Sequence, residues 1–125
     1  MTIMKRTILL VVMLFLTASA INAQTSKELV GKWQLVKWTH NNKEKDIKDY
    51  FKTDQVYQIF MEDGRFDSKI GDEIHHGKWS ISKDNKELVI KSALIPIKFQ
   101  IDYFTAEKRI VTYPQLGSFE YKKIN

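Results

Sequence analysis

The chain has 125 residues, with 20 basic and 15 acidic side chains and no cysteine. A formal charge of +5 on a mixed surface gives no clustered basic face of the kind nucleic acid needs. The lack of cysteine excludes disulfides, thiol catalysis and cysteine metal sites.

The N-terminus has the layout of an export signal. Lys5 and Arg6 form a short basic flank, Ile8 to Leu16 an unbroken apolar run, and Ala18, Ala20 and Ala23 the small residues before a cut. The run is roughly half of the ~20 residues that a membrane-spanning helix requires. Residues 1–23 are therefore expected to be a cleaved signal peptide, with a cut after Ala20 as the alternative. Residues 24–125 are expected to work in the periplasm or outside the cell. No cysteine follows the run, so no lipid anchor is expected, and no later apolar run would insert the processed chain into a membrane. Loss of Lys5 and Arg6 lowers the net charge from +5 to +3. About 100 residues suffice for one domain with a single core.

Past the signal, hydrophobicity alternates with period two, the mark of half-buried strands. The spacing predicts strands over Val30–Thr39 (Trp33, Leu35, Trp38), Gln55–Met61 (Tyr57, Ile59, Met61) and Arg65–Ile70 (Phe66, Ser68, Ile70). Asp63-Gly64 supplies the tight hairpin between the last two. Further strands are expected at His75–Ser82, Glu87–Lys91, Ile95–Tyr103, Arg109–Tyr113 and Ser118–Ile124. Eight strands joined by short turns pair antiparallel, as an up-and-down barrel or, as the rival, a two-sheet sandwich. Meander connectivity favours the barrel. Lys43–Lys52 breaks the rhythm: Ile47, Tyr50 and Phe51 fall at i, i+3, i+4 and predict a short helix of about two turns with one apolar face. Too short to stand alone, it should pack as a lid on the barrel mouth.

Gly-Lys-Trp occurs twice, at Gly31-Lys32-Trp33 and Gly77-Lys78-Trp79. Each glycine permits a bend or a close strand approach. Each tryptophan should point inward and donate its indole N–H to a carbonyl. The pair is expected to plug the closed end of the barrel rather than to line a ligand site.

Leu29-Val30-Gly31-Lys32-Trp33-Gln34-Leu35, the turn Glu62-Asp63-Gly64-Arg65-Phe66, and Gly77-Lys78-Trp79-Ser80-Ile81 together resemble the lipocalin and wider calycin group. More closely, the chain is similar to small lipocalin-like domain proteins exported by Bacteroidota-type bacteria. The chain is shorter than most lipocalins, lacks their long C-terminal helix, and retains only Ile101-Asp102-Tyr103 near their Thr-Asp-Tyr motif. The resemblance implies an all-β, eight-stranded lipocalin-like barrel that binds a small apolar or amphipathic molecule without catalysis or cofactor.

Tyr57, Ile59, Phe66, Phe99, Ile101, Tyr103, Phe119 and Tyr121 are the expected inward set, serving either as a filled core or as the lining of a ligand cavity. Ile47, Tyr50 and Phe51 are the expected lid. His75 and His76 face opposite sides of a strand and cannot chelate one ion together, so no metal site is expected. Asp63, Asp67, Asp72 and Glu73 crowd one hairpin as solvated turn residues, and no serine has a spaced histidine partner. The alternatives to a ligand carrier are a protein-interaction or inhibitor module of the cell envelope built on a filled barrel and, third, an enzyme.

Overall fold

A computed structural model describes residues 26–92 and 94–125. The expected signal peptide, residues 1–23, lies outside the described residues. A helical turn over 26–29 (α1) leads into β1 (Gly31–His40). Then come β2 (Lys43–Lys45), α2 (Ile47–Phe51), β3 (Val56–Phe60), β4 (Arg65–Ile70) and β5 (Glu73–Ile81). The chain ends with β6 (Glu87–Ser92), β7 (Ile95–Phe104), β8 (Lys108–Tyr113) and β9 (Gly117–Lys123).

The sheet runs β2-β1-β3-β4-β5-β6-β7-β8-β9, every ladder antiparallel, and β1 also pairs with β9. That last ladder closes eight strands, β1 and β3 to β9, into a barrel and removes the open edges a sandwich would keep. It comes from the long β1. One edge of β1 pairs with β3 through Gly31–Gln34 and then with β2 through Trp38–His40, while the other edge pairs with β9. A bulge between Leu35 and Lys37 shifts the phase, so Trp38 points inward with Trp33 and Leu35 although the spacing is odd.

Two local expectations change. Lys43–Lys45 forms β2 rather than the start of a helix. It is wholly exposed and has no apolar face for a periodicity to reveal. The helix is therefore only five residues, Ile47–Phe51. Asp46 caps it, its Oδ1 accepting from the Asp49 N–H at 3.0 Å, and Lys52 ends it in the left-handed conformation, φ 63°.

The two Gly-Lys-Trp glycines sit where chains approach closely. A Cβ on Gly31 would stand 2.5 Å from the Asn125 carbonyl oxygen, and one on Gly77 2.6 Å from that of Lys91. All three indoles donate to backbone carbonyls: Trp33 to Leu29 at 2.8 Å, Trp38 to Leu116 at 2.7 Å and Trp79 to Met61 at 2.9 Å. Each bond ties a strand to a loop at one end of the barrel. Among the described residues no helix is long and apolar enough to cross a membrane.

Candidate functional site: the barrel interior

Strand directions divide the interior into two ends. β1 starts, and β3 and β9 finish, at the end that holds Trp33, Phe60 and Tyr121. This end is sealed. Trp33 is 0% exposed, and Leu29 of α1 packs beneath it. Lys123 spans the base, its Nζ donating to the Glu28 carbonyl at 2.7 Å.

Arg109 fills the centre of this end at 1% exposure. Its guanidinium lies 4.1 Å from the ring centroid of Tyr121, 4.9 Å from Phe60 and 5.0 Å from Trp33. Nη2 donates to Gln58 Oε1, while Nε and Nη1 have no hydrogen-bond partner. Rings therefore replace water around the charge, an attraction worth up to about 2 kcal/mol for a desolvated contact. Burial still pushes Arg109 down to about 10, against a smaller upward pull from Tyr121, and pushes the Tyr121 phenol up to about 12. Arg109 is not in the expected inward set. Its phase with Val111 and Tyr113 along β8 is the signal that places it inside.

The other end is the mouth. Trp38 and Phe119 stack there, and α2 lies against Trp38: Phe51 is 6.1 Å and Tyr50 4.8 Å from it, ring to ring. Ile47 and Phe51 are half-buried on the core, whereas Tyr50 is 63% exposed and meets Trp38 by its edge. The three expected lid residues are thus brought together over the β1–β9 side of the mouth. On the β4–β8 side of the barrel the inward side chains Ile70, Ile97, Phe99 and Tyr113 are half-buried, with Phe99 and Tyr113 ring to ring at 5.8 Å.

Of the eight expected inward residues, Phe66, Phe99, Ile101, Phe119 and Tyr121 belong to the core or pack against it. Tyr57, Ile59 and Tyr103 do not. In β3 the inward phase is Val56, Gln58 and Phe60, and Tyr57 and Ile59 face Lys69 and Asp67 on the outer surface. Lys32 Nζ lies over the Tyr57 ring at 4.3 Å. Both phases of β3 carry large apolar side chains, so alternation alone does not choose between them. Tyr103 is turned out by a bulge between Ile101 and Tyr103, which brings Phe104 inward instead, 6.0 Å from Trp33. Trp79 is half-buried and packs edge-on to Phe60 at 5.7 Å, so both Gly-Lys-Trp tryptophans serve the sealed end.

His76 faces out with its Nδ1 2.6 Å from Asp67 Oδ1, and His75 faces the mouth, 3.8 Å from Glu73. The two histidines are separated by the strand, as their adjacency requires.

Residues 29–111 match the family described as the lipocalin-like domain. Among solved structures, the fold is similar to that of an uncharacterized protein from Bacteroides eggerthii, with a TM-score of 0.63 at 15% identity over 77% of this chain and 99% of that one. It is also similar to a lipocalin-like protein from Bacteroides uniformis, with a TM-score of 0.62 at 17% identity over 78% of this chain and 99% of that one. At these identities the likeness is one of fold. No curated protein matches the chain.

Proposed function

The chain belongs to the lipocalin-like domain family, and from that premise we propose that it is an exported, non-catalytic carrier of a small apolar or amphipathic molecule. The observation that carries this reading is the contrast between the two ends of the barrel. The base is sealed by Trp33, Arg109 and Tyr121, while Ile97, Phe99 and Tyr113 near the mouth remain half-buried. Apolar side chains that point into a barrel and still meet solvent gain by covering themselves with a guest, roughly 25 cal/mol for each Å² removed from water. Helix α2 stands beside the opening and supplies Phe51 and Tyr50 as its cover. Export is supported by the basic, apolar and small-residue order of residues 1–23 and places the carrier in the periplasm or outside the cell.

The test is native mass spectrometry of protein purified from its own cell envelope, together with titration of an environment-sensitive apolar dye. The reading expects a bound small molecule or saturable dye binding that Phe99→Arg abolishes. Absence of both in the folded protein contradicts it. A second reading, docking of a partner protein on the mouth rim, is favoured by Leu94 and Ile95 at the β6–β7 turn, 85% and 65% exposed. It expects a co-purifying protein instead.

A further inference from the structure

The interior near the mouth is two-sided. Phe66 is buried and pairs with Gly77, so the pairs Ser68–His75 and Ile70–Glu73 on the same ladder share its inward face. Leu88 and Ile90 are buried, which puts Ser92, in phase with them on β6, inward as well. Ser68, Glu73, His75 and Ser92 thus share the inward phase of the adjacent strands β4, β5 and β6 and form a polar rim, Ser68 and Ser92 half-buried and the His75 and Glu73 side chains 64% and 78% exposed. The neighbouring wall, β7 to β9 and β1, presents Phe99, Tyr113, Phe119 and Trp38.

Resting on the carrier reading above, we infer that the guest is an amphipath with a neutral, hydroxyl-bearing head group held by Ser68, His75 and Glu73, its apolar body lying on Phe99 and Tyr113. Among the described residues the half-buried Ser68 hydroxyl has no hydrogen-bond partner, and the His75 and Glu73 side chains have no polar partner other than each other, at 3.8 Å. A hydroxyl donates and accepts, and so does a neutral imidazole, while a carboxylate accepts; a sugar or polyol head matches all three. An anionic head does not. Among the described residues of the eight strands that close the barrel, the inward cations are Arg109 and Lys123, both at the sealed end, while Lys43 and Lys45 of β2 pair with His40 and Trp38 at the mouth and are exposed. Arg109 lies under three rings, and Lys123 is bonded to Glu28. A carboxylate or phosphate at the mouth would instead meet Glu73.

The experiment compares decyl maltoside, decanoate and decylammonium, which share one tail, by calorimetric titration below their micelle concentrations. The inference expects decyl maltoside to bind at least about tenfold more tightly than either ion. The variant Ser68→Ala/His75→Phe should remove most of that preference, whereas Phe99→Ala should weaken all three ligands alike. Circular dichroism checks that both variants fold. Binding of the three probes with equal affinity, tighter binding of either ion, or an unchanged preference in the double variant overturns the head-group assignment and leaves the carrier reading standing. No binding by any probe overturns both.

Discussion

Trp38 and Phe119 stack almost parallel at the barrel mouth, centroids 5.7 Å apart and planes 14° off, and Trp38 of this pair is the ring on which α2 rests. The helix has five residues and buries none of them fully, so it holds its place through tertiary contact rather than propensity. Phe51→Ala is expected to cost about 1–2 kcal/mol and to raise hydrogen exchange across residues 47–52 by more than tenfold. Exchange in β7 and β8 should be unchanged. Equal protection of α2 in the variant and the parent would show that Phe51 does not anchor it.

Arg109 and Gln58 make a pair in which one guanidinium nitrogen, Nη2, is hydrogen-bonded and the other two are without a partner among the described residues. Removing Gln58 leaves Nη2 without its partner as well. Gln58→Leu is therefore expected to destabilise by about 2–3 kcal/mol. Arg109→Met, which removes the buried charge and fills the space with an apolar chain, should lie within about 1 kcal/mol of the parent or above it. In the double variant the Gln58→Leu penalty should largely vanish. Denaturant midpoints of the four proteins measure this coupling.

The same core carries opposed pH dependences. Burial lowers Arg109 from the ordinary guanidinium range to about 10 on folding, so above pH 10 the unfolded chain holds more protons there and stability rises with pH. Tyr121 rises from 10.0 to about 12, again mainly through burial. Its contribution is complete below pH 10 and is lost as pH climbs through 12. Between pH 10 and 12 the two slopes offset each other. Tyr121→Phe should make stability fall less steeply in this window than in the parent, by up to about 1.4 kcal/mol per pH unit, and Arg109→Met should make it fall more steeply. Urea melts at three alkaline pH values check both signs.

Gly77 has ordinary backbone angles, so its requirement is space alone. A Cβ there would come within 2.6 Å of the Lys91 carbonyl oxygen. Gly77→Ala is expected to push β5 from β6 and to destabilise by about 1–3 kcal/mol. Amide exchange should rise first at Lys78 and Lys91, the ladder pair next to the site.

The strands were legible because a half-buried strand writes its burial as alternation, and nearly every predicted strand lies within one or two residues of its observed place. The side that faces inward was less legible. In β3, Tyr57 and Ile59 compete with Val56 and Phe60, and only pairing to the Phe66 strand settles the phase. In β7 the bulge before Tyr103 resets the alternation, and no local residue announces it. β2 leaves no mark in the sequence because Lys43, Glu44 and Lys45 bury nothing. Arg109 is hidden in the sequence because its charge marks a surface residue, although its phase with Val111 is inward. The polar rim of Ser68, Glu73 and His75 depends on the β4–β5 register, a long-range fact that no single strand contains.

The most direct test of the carrier account is backbone amide NMR during titration with an apolar or amphipathic ligand, mapped onto the barrel. The account predicts saturable shifts concentrated at Ile97, Phe99, Tyr113 and the 47–51 helix, with the outward Tyr57, Ile59 and Tyr103 unmoved. Shifts confined to those outward residues, or none at ligand excess, would contradict it.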